Sequence, residues 1–223
     1  MDPLDNPFWH TLQGPLSDLA EGNGHAARFQ PDVNVFAALP DEPDDRSWAA
    51  MGELVGPGGI AVLCRGEIRV PHDWTPVSET PSVQFVAPDG LARAAHGVVE
   101  LTEADVPEML ALATDTDPGP FKDRTIDQGG FIGFREKGQL VAMGGTRCRI
   151  PGGVEISSLC TARQARGRGL AEQLLRELIG RIESEGNQAF LHTAQHNEGA
   201  IRLYTRLGLT LRARQRFFGV RAP

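Results

Sequence analysis

The sequence of 223 residues has few of the features that mark several classes of protein. It contains only three cysteines, none with the short spacing of a zinc or redox motif: Cys64, Cys148 and Cys160. We therefore expect reduced thiols, as in a cytoplasmic protein. No apolar run approaches the roughly twenty residues that span a bilayer. The N-terminal residues also lack the basic start and apolar core of a signal peptide. A cytoplasmic protein without a membrane partner is predicted.

Positive charge is also scarce. The chain has 22 Lys and Arg against 29 Asp and Glu, which gives a formal net charge of -7. Proteins that bind nucleic acids depend on a basic surface, so we expect no nucleic-acid partner. Hydrophobic residues make up 40% of the chain, enough for a folded core.

Two parts of the chain differ in how clearly their patterns predict structure. Residues 1–95 are rich in proline, glycine and acidic residues, and only short apolar runs at 60–63 and 83–86 predict strands. Nothing in them identifies a chemistry, and we predict a small α/β half. Residues 96–223 show sharper periodicity, so we predict that they form the working domain.

The second part predicts a definite order of elements. A strand and a helix come first, then an antiparallel meander, a helix beginning near Leu170, a short strand over 189–192 and a helix over 197–207. Residues 209–220 are predicted to form two strands around a turn near Arg214 and Gln215. The predicted fold class is α/β (α+β), with a mixed, mostly antiparallel central sheet flanked by helices.

The most informative segment leads from the end of the meander into the helix at Leu170. Gly167 and Gly169 lie among Arg163, Arg166 and Arg168. Glycines permit a tight turn, and the unpaired amides and positive dipole end of a following helix suit a pyrophosphate. The dinucleotide fingerprint and the NTPase loop need further residues that are missing here. The alternative is a simple glycine turn with solvated arginines.

Two motifs make residues 97–220 resemble the GNAT superfamily of N-acetyltransferases. Arg166-x-x-Gly169-x-Ala171 matches the family's cofactor signature, and Gln164-x-x-Gly167-x-Gly169 matches it in a second frame. We prefer the first frame because it leads directly into the leucine-faced helix. Residues 197–209 match the second signature, Asn-x-x-Ala-x-x-Leu-Tyr-x-x-Leu-Gly-Phe, except that Leu209 replaces phenylalanine. The resemblance implies a GNAT-like fold, and residues 1–95 are then a candidate for a degenerate half-domain.

The resemblance also implies acetyl-CoA as cosubstrate and no metal. In the family, the pantetheine arm runs along the strand before the loop, the loop wraps the pyrophosphate, and the second signature touches the cofactor. The residues implied to bind acetyl-CoA here are Leu159, Cys160, Thr161, Arg166, Gly167, Arg168, Gly169, Leu170, Ala171, Glu172, Asn197 and Tyr204.

The implied catalytic residues are Tyr204, Glu155 and His192. Tyr204 falls where the family places the general acid that protonates the departing thiolate. Asn197 has a second interpretation as a helix cap. The base stays open between Glu155, His192 and water, because relatives keep a glutamate or another acidic base near these positions.

The resemblance therefore implies an acyltransferase that moves an acetyl group to a primary amine by direct transfer in a ternary complex. The acceptor is a small-molecule or peptide amine, contacted by residues 115–124 and 212–218. The protein is expected to be a monomer or a homodimer. The alternative is a non-catalytic acyl-CoA-binding or regulatory module.

Overall fold

A small and a large β-sheet organise the chain. The computed structural model describes residues 2–223. The small sheet has the order β1-β2-β3 and the large sheet the order β4-β11-β5-β10-β9-β8-β7-β6. The strands are β1 (Ala20–Gly22), β2 (Ala27–Phe29), β3 (Ala37–Ala38), β4 (Ile60–Arg65), β5 (Thr75–Val86), β6 (Val98–Glu100), β7 (Ile132–Glu136), β8 (Gln139–Ile150), β9 (Gly153–Thr161), β10 (Gln188–Ala194) and β11 (Thr210–Arg221).

Five α-helices flank these sheets within residues 2–223. They are α1 (Pro7–Leu12), α2 (Asp45–Val55), α3 (Val106–Thr116), α4 (Leu170–Ser184) and α5 (Glu198–Arg206). In the large sheet only β9 and β10 are parallel, and the other neighbouring strands are antiparallel. The predicted mixed, mostly antiparallel sheet flanked by helices is confirmed. None of the helices in the described residues has the length and apolar character needed to cross a bilayer.

The large sheet crosses the boundary predicted near residue 95. Strand β5 pairs with β10 on one side and with β11 on the other, and β4 also pairs with β11. Strands from both predicted parts therefore share one sheet. The division into two domains stays a prediction.

The prediction of a C-terminal hairpin over residues 209–220 is wrong. Residues 210–221 form the single strand β11, which pairs with β5 over most of its length and with β4 over 216–221. Register shifts between Leu211 and Ala213 and between Gly219 and Val220 accommodate its curvature. Arg214 and Gln215 pair with Val83 and Ser82 of β5, so the backbone continues as a strand at the predicted turn.

Helix α4 covers the large sheet with the apolar face that its sequence predicts. Leu170, Leu174, Leu175, Leu178 and Ile182 are all buried, and they pack in one cluster with side chains of β8 and β9. Burying a leucine or isoleucine side chain contributes roughly 1.5–3 kcal/mol. This packing fixes the start of α4 relative to the end of β9.

The N-terminal residues pack onto the opposite face of the sheet, at the end of β8. The Thr11 hydroxyl of α1 donates to the carbonyl of Arg149 and accepts from its amide, both at 3.1 Å. Phe8 and Phe36 lie with their ring centroids 4.6 Å apart in a second apolar cluster. The N-terminal part therefore forms a wall against the middle of the large sheet.

We expect Leu174→Ala to lower the free energy of unfolding by about 2–5 kcal/mol, because it leaves a cavity under a fully buried side chain. Leu211→Ala is the matched control, since Leu211 is 46% exposed, and it should cost less than about 1 kcal/mol. Urea denaturation of both variants measures the difference. Equal losses would contradict the assigned role of the α4 face.

Candidate active site

A cavity opens where the two parallel strands separate. Strands β9 and β10 pair as far as Ile156 and Leu191, and no pairing between them follows. Just beyond, β9 shifts register against β8, and Ser158 adopts a φ of 55°. The resulting cavity has a volume of about 800 Å³. Its walls come from β9, β10, β11, the loop after α3, the start of α5 and the N-terminal part.

The glycine loop follows β9 and leads into α4. Gly167 and Gly169 have φ values of 77° and 75°, in the left-handed region that favours glycine, and a Cβ at either would meet open space. Within residues 2–223, the backbone amides of residues 167–172 donate no hydrogen bond, and the first bond at the helix start runs from Gln173 to Gly169. The loop therefore presents a row of free donors to solvent.

The charged side chains of this loop are only partly available. Arg168 pairs with Glu136 at 2.5 Å, and Nε of Arg166 donates to the carbonyl of Thr161 at 3.2 Å. Glu172 accepts from Arg176 at 3.1 Å and from Arg206 at 2.8 Å. Its carboxylate is thus engaged, and only its backbone amide faces the loop as a donor. Leu170 and Ala171 supply amides in the first helical turn.

The end of β9 connects the cavity to the glycine loop. Leu159 lines the cavity, whereas Cys160 is buried in the core cluster. Burial raises the pKa of the Cys160 thiol to about 11, so the thiol stays protonated at neutral pH. The Thr161 hydroxyl is buried and has no hydrogen-bond partner within the described residues. These predicted binding residues lie along one line from the cavity to the loop.

Helix α5 places two predicted residues on the other side of the cavity. Asn197 is the N-cap of α5, and its side-chain oxygen accepts from the amide of Ala200 at 3.1 Å. Tyr204 packs edge-on against Phe85 with ring centroids 5.6 Å apart, and both Asn197 and Tyr204 line the cavity. The structure thus brings Tyr204 to the same cavity as Leu159.

The Tyr204 phenol is poised to keep its proton. Burial alone raises its pKa to about 12. Within residues 2–223 its hydroxyl has no hydrogen-bond partner, although the residue is only 7% exposed. A neutral phenol with an unused donor facing a cavity can give its proton to a bound group.

Glu155 and His192 are in direct contact, and a third residue joins them. Glu155 is fully buried and accepts from Nε of Arg147 at 2.9 Å and from Nη2 at 2.5 Å. Nδ1 of His192 lies 2.6 Å from Oε1 of Glu155. Burial opposes ionisation of Glu155, but Arg147 and His192 outweigh it and hold its pKa well below the usual range. Glu155 itself does not line the cavity, whereas Arg147 and His192 do.

The second ring nitrogen of His192 faces two amide side chains. Nε2 lies 2.8 Å from Oε1 of Gln215 and 3.1 Å from Nε2 of Gln84. The N-terminal segment holds both amides in place, because each donates to the carbonyl of Leu4. A neutral Nε2 can accept from Gln84, and a protonated Nε2 can donate to Gln215. Both protonation states of the ring therefore find a partner.

Arg147 and Gln84 were missed as site residues in the sequence, and Gln215 was included only as part of the predicted acceptor segment 212–218. A signal existed only for Arg147, which is a charged residue inside the apolar strand β8. A buried cation needs a partner, so its position indicated an ion pair without saying which acid supplies it. Strand β8 meets β9 there, eight residues later in the chain.

The two predicted acceptor segments, residues 115–124 and 212–218, contribute only some of their residues to the cavity. Residues 117–120 and Phe217 line the cavity, in agreement with the expected positions of the acceptor segments, whereas Arg212 pairs with Asp2 and Asp5. Within residues 2–223 no group of three or more His, Cys, Asp or Glu side chains is arranged to hold a metal ion.

Comparisons with known proteins agree on one fold. The model of the FR47-like protein family matches residues 131–218. A crystal structure of a GNAT-family protein from Novosphingobium aromaticivorans is 34% identical, with 100% of both chains covered and a TM-score of 0.90. Among curated proteins, none matches the sequence.

Two more distant structures share the fold. A GCN5-related N-acetyltransferase from Kribbella flavida is 22% identical over 96% of this chain and 93% of its own, with a TM-score of 0.62. A GNAT-family acetyltransferase from Colwellia psychrerythraea is 15% identical over 87% of this chain and 84% of its own, with a TM-score of 0.55.

We expect Glu155→Gln to lower the free energy of unfolding by about 3–5 kcal/mol at pH 7, because it leaves buried Arg147 without its counter-charge. The matched control is Glu185→Gln, which breaks the half-exposed pair with Arg149 and should cost less than about 1 kcal/mol. Chemical denaturation measures both losses.

The loss should also depend on pH. The depressed pKa means that ionised Glu155 stabilises the fold fully above its ordinary value of 4.5, and that this stabilisation disappears as the pH falls below it. The difference between wild type and Glu155→Gln should therefore narrow between pH 7 and pH 3. A constant difference over this range would show that Glu155 is not held ionised.

Proposed function

Because the chain belongs to the GNAT family, we propose that it transfers an acetyl group from acetyl-CoA to a primary amine, directly and within a ternary complex. The observation that carries this proposal is the row of unpaired amides at residues 167–172, on a line with a cavity that contains the unpaired phenol of Tyr204. Acetyl-CoA carries both groups that these features would hold, a diphosphate and, at the far end of its pantetheine arm, a thioester.

The loop fits the diphosphate end of coenzyme A. Free amides at the start of a helix, with the positive dipole end behind them, stabilise phosphate oxygens. Open space over Gly167 and Gly169 lets these oxygens approach the backbone. Arg163, Arg166 and Arg168 add positive charge around the loop. The pantetheine arm would lie beside Leu159, Cys160 and Thr161, in the space left by the separation of β9 and β10.

Acetyl-CoA supplies the thioester. Residues of this chain would donate one proton to the departing thiolate and accept one from the amine. The amine nitrogen forms a bond to the carbonyl carbon, and the carbon–sulfur bond then breaks. Tyr204 would donate its proton to the departing thiolate. A backbone amide at the end of β9 would stabilise the oxygen that becomes negative in between. The amine must lose a proton to a base.

We assign the base to His192, with Glu155 as a positioning residue. Glu155 is a poor base because both its oxygens accept from Arg147 or His192 and it is fully buried. His192 lines the cavity, and Gln84 and Gln215 accommodate its neutral and protonated forms. Both ring nitrogens of His192 have partners and its side chain is 1% exposed, so the Gln84 or Gln215 amide would have to move from Nε2 before the amine or one bridging water could reach it.

The N-terminal part would form the acceptor side of the site. Phe36 and Val62 line the cavity together with Ser78 and Thr80 of β5, and the Leu4 carbonyl orients both amides at His192. We therefore propose that residues 1–95 shape the binding site for the amine and hold no separate activity. We also propose that the protein acts in the cytoplasm.

We expect Gly169→Ala to weaken acetyl-CoA binding at least 10-fold, because a Cβ there disturbs the amides that hold the diphosphate. Gly186→Ala is the matched control at the other end of α4, where φ is 78° and the space is equally open. Each variant should lose roughly 1–2 kcal/mol of stability from the left-handed backbone. Calorimetric titration with acetyl-CoA should separate them, and equal affinities would refute the loop assignment.

We expect Tyr204→Phe to reduce kcat by about 10²- to 10⁴-fold, the usual size of an acid-catalysis effect. Its affinity for acetyl-CoA and its stability should be unchanged, because the hydroxyl has no partner within residues 2–223 and the ring still packs on Phe85. Free-thiol release with a panel of primary amines measures kcat. Acetyl-CoA binding without thiol release by the wild type with any amine would favour a non-catalytic acyl-CoA-binding module.

A further inference from the structure

We propose that the cavity selects amines that also carry a carboxylate, and that Nη1 of Arg147 binds this carboxylate. The inference deepens the proposed acetyl transfer and rests on it for the amine. The carboxylate site itself depends on the geometry around Arg147, on the charge along the cavity and on the rings beside it.

The guanidinium of Arg147 is fixed in one orientation. Its Nε and Nη2 atoms both donate to Glu155, so the planar group turns its remaining edge, Nη1, away from that carboxylate. The guanidinium carbon lies 4.9 Å from the ring centroid of Phe36, 5.2 Å from that of Phe8 and 5.6 Å from that of Phe217. These rings leave the edge as the direction in which the group can bind further.

That edge is unused, and the cavity reaches it. Arg147 is only 8% exposed, yet Nη1 has no hydrogen-bond partner within residues 2–223. It does not belong to the polar atoms that are shut off from solvent, and Arg147 lines the cavity. Solvent in the cavity can reach this donor, and a negatively charged ligand oxygen would form a stronger, charge-assisted hydrogen bond with it than water does.

The charge along the cavity favours a carboxylate at the inner end. Glu155 accepts from both Arg147 and His192, so its carboxylate is not directed at Arg147 alone. Within residues 2–223 the carboxylates that line the cavity are Asp117 and Glu198, and both are exposed. An anionic group would therefore bind near Arg147, away from these two carboxylates.

The number of free donors also limits the ligand. The free end of the guanidinium presents one N–H of Nη1 beside the second N–H of Nη2, and these two parallel donors match the two oxygens of one carboxylate. The walls near Arg147 are otherwise apolar, with Phe36, Phe217 and Val62. A compact amino acid with an apolar body is the class of acceptor that this surface would accept.

Matched substrate pairs test the proposal on the wild-type protein. α-, β- and γ-amino acids and their carboxamides would be compared as acceptors with acetyl-CoA, and kcat/KM would be expressed per neutral amine. At least one acid should exceed its carboxamide by roughly 10- to 100-fold, the size of a charge-assisted hydrogen bond. Turnover of amines with no such preference in any pair would overturn the carboxylate site and leave acetyl transfer intact.

A paired substitution separates binding from folding. Arg147→Met alone would leave the buried Glu155 carboxylate without its counter-charge, so it is combined with Glu155→Gln. The two substitutions together remove both charges and keep similar side-chain volumes. This double variant should lose the preference for the acid. Its turnover of both substrates should also fall, because Glu155 no longer orients His192, so the readout is the ratio of kcat/KM for each acid to kcat/KM for its carboxamide. Arg149→Met with Glu185→Gln is the control, since Arg149 lies on the same strand, has its own acid partner and does not line the cavity. A preference that survives in the Arg147 double variant would overturn the proposal.

Calorimetry tests the carboxylate site independently of acetyl transfer. N-acetyl-leucine and N-acetyl-leucinamide, added to the wild-type protein with coenzyme A, need no turnover to bind. Tighter binding of the acid, abolished in the Arg147 double variant, would support the site even if no amine were acetylated. Equal binding of both compounds would count against Arg147 whatever the enzyme assay gives.

Discussion

The buried ion pair between Arg147 and Glu155 is the interaction on which the middle of this structure depends. It joins β8 to β9, and through His192 it reaches β10. Removing two charges from water costs several kcal/mol for each ion, so the pair is stable only if its geometry is good and water stays out. Phe8, Phe36 and Phe217 supply that exclusion from the N-terminal part and from β11. The N-terminal part and the centre of the sheet are therefore energetically coupled.

Backbone geometry creates the second half of the site. The separation of β9 and β10 after Ile156 and Leu191 leaves a gap within an otherwise continuous sheet, and the amides of residues 167–172 lack partners next to it. Polar backbone groups that have lost their sheet or helix partners need others. Both irregularities lie on one side of β9, so a single extended ligand could satisfy them. This arrangement requires α4 to be held firmly, which the leucine face provides.

The sequence predicted those features that depend on neighbouring residues. The α4 face, the glycine loop and the cap at Asn197 are set by short spacings. Periodicity predicted the order of elements, and the two signatures indicated the family. The contacts of Arg147, Gln84 and Leu4 involve residues far apart in the chain, and local patterns carry no information about them. The same limit explains the error in β11, because its two neighbouring strands lie before residue 90. Pairing with those strands makes residues 210–221 one continuous strand instead of a hairpin. The local sequence shows only that these residues favour an extended conformation.

The residues proposed to bind coenzyme A and those proposed to bind the acceptor lie in different parts of the structure. In the proposed function, the loop at residues 167–172 and Tyr204 would contact the parts of coenzyme A that are the same for every acceptor. The acceptor would lie beside Phe36, Val62 and Phe217 around Arg147, which line the cavity. Substitutions in the N-terminal part would thus change the acceptor without altering the loop, provided that they keep water away from the contact between Arg147 and Glu155. The ion pair sets this limit, because water that entered beside Phe36 would weaken the electrostatic attraction that offsets its burial. Stability and acceptor choice are therefore coupled at the same rings.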